Sequence, residues 1–200
     1  MKKFKKIIQI KTLIFFSIFL IFANCNQNTS EDKKKVNGKI VVKVFSSLTC
    51  PHCATFHQEV VVKLKEEYID KNIVEFRHQS FPLDLAALNA EKILYCFKDK
   101  EKKFKFLTNI YKKQKKWAVG SDINIINNSI KIIGEELGLD GSMIDKCLVD
   151  KKIEELILEA RINAQKEYKI SSTPTIFINE KQYKGSHDFK KFKKELDKLL

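Results

Sequence analysis

Apolar positions recur along the chain in two rhythms. Ile40-Val41-Val42-Lys43-Val44-Phe45 is a compact run rich in β-branched residues and predicts a strand over 40–46. From residue 50 the rhythm changes. Cys53, Phe56, Val60, Leu64 and Tyr68 fall at helical spacing, which predicts a helix over 50–68. Asn72 to Phe81 returns to strand character, with apolar and polar residues alternating from Val74 onward. Strand, helix and strand in that order suggest a parallel βαβ unit. Leu83 to Tyr168 is helical in pattern. Leu85, Leu88, Ile93, Leu94 and Phe97 form one stripe, and Phe104, Leu107, Ile110 and Tyr111 form another that ends near Trp117. A third helix is expected over 123–137, stopped at Gly138, and a short one over 142–148. A long one follows over 150–168, with Ile153, Leu156, Ile157, Ala160 and Ala164 on one face. These stripes are read as core. Pro174-Thr175-Ile176-Phe177-Ile178 predicts a strand, Glu180-Lys181 a turn, and Gln182-Tyr183-Lys184 a partner strand. Phe189, Phe192, Leu196 and Leu199 mark a last amphipathic helix.

The switch from strand to helix holds the chemistry, at Cys50-Pro51-His52-Cys53. Pro51 suits the first helical position, where its missing N–H is not needed. Cys50 then falls at the N-cap, facing free backbone N–H groups and the positive end of the helix dipole. Both favour thiolate, the nucleophile of disulfide exchange. Cys53 lies one turn deeper on the same side, placed to close a small disulfide ring and to act as the resolving thiol. A structural zinc site would need two further ligands. Cys25, Cys96 and Cys147 form no second close pair, and His57, His78 and His187 are scattered.

The N-terminus bears on where such chemistry could persist. Lys2, Lys3, Lys5, Lys6 and Lys11 form a basic region, followed by an apolar stretch from Leu13 to Ala23 broken only by Ser17. That pattern resembles a secretory signal peptide over 1–25. It is short for a membrane span of roughly 20 apolar residues, although an uncleaved anchor reaching back to Ile7 is the alternative. Leu20-Ile21-Phe22-Ala23-Asn24-Cys25 resembles a loose lipobox, with Phe22 and Asn24 departing from its commonest pattern. Cys25 is thereby a candidate for lipidation, or else a cysteine discarded with the peptide. Residues 26–38 are polar and aperiodic and read as a tether. Export places the protein where disulfides last, in the bacterial periplasm. Cys96 and Cys147 are then the candidates for a second disulfide, worth roughly 4 kcal/mol on the chain-entropy model, or else two separate buried thiols.

Removing the five lysines of the first 25 residues takes the formal charge from +13 to +8. The remaining positive charge is nearly all lysine, because Arg77 and Arg161 are the only arginines. Arginine is the preferred reader of phosphates and bases. The charge therefore reads as a solvated surface, with some attraction to anionic lipid, rather than as a nucleic-acid site.

Three separated segments carry a family resemblance: Ser47-Leu48-Thr49-Cys50-Pro51-His52-Cys53, then Phe81-Pro82-Leu83-Asp84, then Ser172-Thr173-Pro174-Thr175-Ile176-Phe177-Ile178-Asn179. In this order the chain resembles the DsbA family of thiol–disulfide oxidoreductases. The resemblance implies an α/β chain with a thioredoxin-like fold built from 39–82 and 169–200, interrupted by a helical insertion over 83–168. It implies Cys50 as the exposed nucleophile, Cys53 as the buried resolving thiol, and His52 as a stabiliser of the Cys50 thiolate. Pro174 would be a cis-proline facing the site, with Thr173 presenting backbone to an extended substrate. No metal or organic cofactor is implied. The implied partners are newly exported thiol proteins and a membrane quinone-linked protein that reoxidises the site, with the chain a monomer. One departure stands out: many members carry a buried acid six residues before the first cysteine, and here that position is Val44. The alternatives are a disulfide isomerase or reductase of the same fold, and a peptide-binding lipoprotein without catalysis.

Overall fold

The apolar run at 40–46 becomes the central strand β1 (Ile40–Ser46), buried at every residue. The structure is a computed structural model and describes residues 38–200. The expected signal peptide, Cys25 and, but for Gly38, the tether lie outside the described residues. β2 (Val74–Ser80) pairs with β1 in parallel, from Ile40 opposite Val74 to Ser46 opposite Ser80. β3 (Thr175–Ile178) pairs antiparallel on the other side and carries β4 (Lys181–Tyr183), giving the order β2-β1-β3-β4.

A parallel pair needs a crossover, and the segment after β1 supplies it. α1 (Pro51–Phe56) runs on through a π-helical turn at His57–Val61, an α-turn at Val62–Leu64 and a second π-helical turn at Lys65–Ile69. The expected helix is present, wound more widely than an α-helix in two places. Ile40, Val42 and Val44 pack against its Phe56, Val60, Leu64 and Tyr68. They also meet Phe192 and Leu196 of the last helix, α8 (Phe189–Asp197). Phe45, of opposite parity, packs with Phe81, Ala164, Ile170 and Phe177. Lys43 shares that parity, and its Nζ donates to Glu180 at 2.6 Å and to the Tyr168 hydroxyl at 2.9 Å. Asn179 and Glu180 join β3 to β4 with φ of 47° and 68°. Two left-handed residues make the kind of turn that matches strand twist. The turn therefore uses Asn179 and Glu180 rather than Glu180 and Lys181, and β4 starts one residue earlier than expected.

Six helices lie between β2 and β3: α2 (Leu85–Cys96), α3 (Lys100–Lys112), α4 (Gln114–Trp117), α5 (Ile123–Glu135), α6 (Gly141–Val149) and α7 (Lys151–Glu167). Aspartate starts most of them. Asp84, Asp99, Asp122, Asp140, Asp150 and Asp188 each accept a backbone N–H at the start of α2, α3, α5, α6, α7 and α8. A cap of this kind satisfies a donor the helix cannot, worth about 1 kcal/mol. Gly138, with φ of 82°, ends α5 as the left-handed residue beyond the helix.

α2 is the hub of this part. It buries polar Asn89, Glu91 and Lys92 along with Ala90, Ile93 and Leu94. Lys92 Nζ donates to the Leu148 carbonyl at 2.6 Å and to Glu154 at 2.7 Å. Cys96, at the end of α2, is disulfide-bonded to Cys147 of α6. The α7 stripe is narrower than its spacing suggests. Ile157 and Ala164 are buried, but Leu156 is 55% exposed, because α7 touches α2 and β2 along one edge only. Leu85 is likewise exposed, at the open first turn of α2. Among the described residues no helix is long and apolar enough to cross a membrane.

Candidate active site

The loop from β1 into α1 is held from three sides. Thr49 Oγ1 donates to Asp84 at 2.7 Å, tying the loop to the cap of α2. The Ser47 hydroxyl accepts from the Leu83 N–H at 3.3 Å. Buried Gln114 of α4 donates to the Leu48 carbonyl at 2.8 Å and the Cys50 carbonyl at 3.1 Å. Cys50 therefore arrives at the N-cap of α1 in extended conformation, with Pro51 as the first helical residue.

The sulfurs sit deeper than an exposed nucleophile requires. Cys50 is 7% exposed and Cys53 is 2% exposed. Both lie in the apolar cluster of the helical part, with Leu48, Ile110, Tyr111 and Trp117. The Thr173–Pro174 peptide bond is cis. The Thr173 carbonyl lies 3.4 Å from Cys50 Sγ, within reach of its thiol proton, so the Thr173 segment is one of the groups that cover Cys50.

The two thiols are free and electrostatically unequal. Cys50 is pulled from its ordinary 9.0 down to about 5. The main cause is the Cys53 thiol donating to the Cys50 sulfur. Burial opposes it, and Thr173 and the backbone N–H groups of Cys53 and His52 add to it. Cys53 moves the other way, pushed well above 9.0 by burial, by its hydrogen bond to Cys50 and by the Cys50 charge. One thiolate beside one retained thiol is what nucleophilic exchange with internal resolution requires.

His52 acts on Cys50 here through its backbone N–H. Its imidazole is exposed, and its charge is felt by His187, which burial chiefly holds below the usual histidine range. The Thr173 carbonyl lies at Cys50 Sγ, and Pro174 follows it in the chain. Cys96 and Cys147 lie apart, at the α2–α6 contact. The sequence reading did not find Gln114 or Tyr111. Gln114 sits among lysines in Lys113-Gln114-Lys115-Lys116 and carries no signal of burial. Tyr111 is legible as core but not as a neighbour of the thiols.

The sheet order, and two thiols at the start of the helix after its central strand, define a thioredoxin-fold dithiol protein. The family model described as Thioredoxin matches residues 35–198. A Rickettsia bellii protein with the provisional name protein-disulfide oxidoreductase is 33% identical over 143 residues, covering 72% of this chain and 54% of the relative. A Bacillus cereus protein, provisionally named disulfide bond formation protein D, is 31% identical over 86% of this chain and 80% of its own length. Among solved structures, Wolbachia pipientis alpha-DsbA1 superposes with a TM-score of 0.74 at 28% identity, covering 81% of this chain and 86% of that one. The chain belongs to the DsbA-like thiol–disulfide oxidoreductases of the thioredoxin family. It spans about half the length of the Rickettsia relatives.

Proposed function

We propose that this chain is an exported thiol–disulfide oxidoreductase that introduces disulfides into translocated proteins through Cys50-Pro51-His52-Cys53. A substrate thiolate attacks Cys50 in the enzyme disulfide, and Cys53 leaves. A second substrate thiolate then attacks the substrate sulfur of the mixed disulfide, and the enzyme is left as the dithiol. Thr173 and Pro174 flank an extended substrate backbone at Cys50. A quinone-linked membrane protein returns the pair to the disulfide, and the N-terminal segment keeps the chain at the periplasmic face of that membrane.

The observation that carries this reading is the placement of Cys50 at the N-cap of α1 with the Cys53 thiol one turn behind it, an arrangement that draws Cys50 down to about 5. At pH 7 such a thiol is almost wholly ionised, which stabilises the reduced enzyme by about 3 kcal/mol over an un-ionised thiol. For a two-electron couple that raises the potential by about 60 mV, in the direction of an oxidant. The test is the equilibrium of the Cys50–Cys53 pair in glutathione buffers, read by alkylation and mass. A potential toward about −120 mV, the DsbA range, is expected. One near about −270 mV, the thioredoxin range, would reassign the chain as a reductase.

A further inference from the structure

The two edges of the sheet treat their charges differently. A cavity of about 590 Å³ opens between the edge strand β4 and α8. Lys181, Lys184, Lys191, Lys194 and Lys198 line it, and Glu195 is the one carboxylate in that lining among the described residues. All five lysines are exposed. Glu195 pairs with Lys198 at 2.7 Å. Lys184, Lys191 and Lys194 enter no ion pair among the described residues. The cavity of about 560 Å³ at the opposite edge, beside β2, is built otherwise. There Arg77 pairs with Glu75 at 2.7 Å and Lys65 with Glu101 at 3.1 Å, so the fold answers its own charges.

The needs of the fold account for part of the lysine cluster. Lys194 and Lys198 lie at the C-terminal end of α8, where the helix dipole favours cations. Lys181 on an edge strand discourages pairing with another chain. Neither effect covers Lys184, which follows β4, or Lys191. Lys191 lies in the first turn of α8, the positive end, with the Asp188 cap rather than an acid within the turn to offset it. Ile178, Tyr183 and Leu199 bring apolar surface into the same cavity. Lysine stems beside apolar surface, with ammonium tips free, suit a layer of anionic headgroups. Among the described residues the lining holds no arginine, the residue whose planar fork grips a single phosphate.

The cluster also has a place relative to the thiols. Lys181 pairs with Ile178, and Ile178 with Val42, in the first half of β1, whereas Cys50 follows its last residue. Asp197 near the end of α8 accepts from the Tyr68 hydroxyl, at the end of the crossover helix remote from Cys50. Lys181, Lys194 and Lys198 therefore lie toward the end of the sheet away from the thiols. Residues 26–38 join the domain at that same end, at the start of β1.

We propose that the cleft between β4 and α8 docks the domain on a membrane surface rich in anionic phospholipid, with the Cys50 end kept on the aqueous side. The inference goes beyond the exchange reading and stands whether or not the thiol pair is an oxidant. Attraction of lysines to such a surface is additive, diffuse and confined to about a Debye length, so docking is reversible. Reoxidation at a membrane protein would follow release from the surface.

The experiment places the full chain on vesicles of phosphatidylcholine alone, or of phosphatidylcholine with an equal part of phosphatidylglycerol. Brief acetylation of lysine amines, read residue by residue by mass, separates the cleft from any contribution of the N-terminal segment. Lys184, Lys191 and Lys194 are expected to react at least threefold more slowly on the anionic vesicles. Exposed Lys146 and Lys152 of the helical insertion should react equally on both. The protection should vanish in about 1 M salt, where screening acts over about 3 Å. Lys191→Glu/Lys194→Glu should abolish the protection of Lys184. Lys146→Glu/Lys152→Glu, the same change of net charge elsewhere on the surface, should leave it intact. Carboxymethylation of Cys50 within twofold of the wild type checks that both variants fold, and the wild-type footprint decides alone if either does not. Equal reactivity of the cleft lysines on the two vesicles overturns the docking. So does equal protection of Lys146 and Lys152, which is attraction without a site. Protection of the cleft by polyglutamate or inorganic phosphate, with none on the anionic vesicles, assigns it to an acidic polypeptide or a single anion and overturns the lipid surface.

Discussion

At the scale of single residues the site is a contest over one proton. Cys50 and Cys53 are the same side chain a helical turn apart, yet hydrogen bonding draws one down to about 5 while burial drives the other up. The sign of the consequence follows from the ordinary thiol value of 9.0. A depressed folded-state pKa contributes stability that is complete above about pH 9 and lost as pH falls through about 5. Urea unfolding of the reduced protein should therefore show stability rising by about 1.4 kcal/mol per pH unit between those limits, relative to Cys50→Ala. Alkylation of Cys50 should titrate with a midpoint near pH 5. A midpoint near 8 to 9 would mean that Cys53, Thr173 and the helix N-terminus do not hold the thiolate.

At the scale of elements, packing decides what local pattern leaves open. Gly134 lies inside α5, where alanine would normally be favoured by about 1 kcal/mol. A Cβ there would come within 2.9 Å of Ile144 Cδ1 and 3.3 Å of Ile93 Cγ2, and both isoleucines are fully buried. Overpacking of that kind costs about 1–3 kcal/mol, so Gly134→Ala should lower stability by up to about 2 kcal/mol in denaturant unfolding. A more stable variant would mean that α5 can move away from α2 and α6 at little cost. The same distinction explains what the sequence could reveal. β1, the parallel crossover and the thiol positions were legible because β-branched runs and helical periods are local signals. Glu91 and Lys92 were not, because a hydrophobic period assigns charges to the solvent face. Only the contacts of α2 with α5, α6 and α7, and the hydrogen bonds of Glu91 to β2 and of Lys92 to α6 and α7, reveal that these two charges face the interior. Leu156 failed in the other direction: its spacing is that of a core residue, but α7 has only one covered edge.

At the scale of the whole molecule, the inserted helices do more than decorate the sheet. Gln114 and Tyr111 reach the active-site loop from α4 and α3, and Cys50 and Cys53 pack in the same cluster as Ile130 and Ile144. The Cys96–Cys147 bridge fastens these helices across a separation of 51 residues, enclosing α3, α4 and α5. Closing a loop of that length restricts the unfolded chain by about 4 kcal/mol on the entropy model. Cys96→Ala/Cys147→Ala should therefore unfold at markedly lower urea with the fold retained. The groups that lower Cys50 are Cys53, Thr173 and the first N–H groups of α1, and none of them depends on the bridge for its covalent position. The Cys50 alkylation midpoint should accordingly stay within about half a pH unit of the wild type, a difference of less than about 1 kcal/mol. A midpoint displaced by a full unit or more would make the bridge part of the site, with α2 and α6 setting the depth at which α3 and α4 grip the loop. Loss of stability without displacement would make it a fastener of the helical insertion.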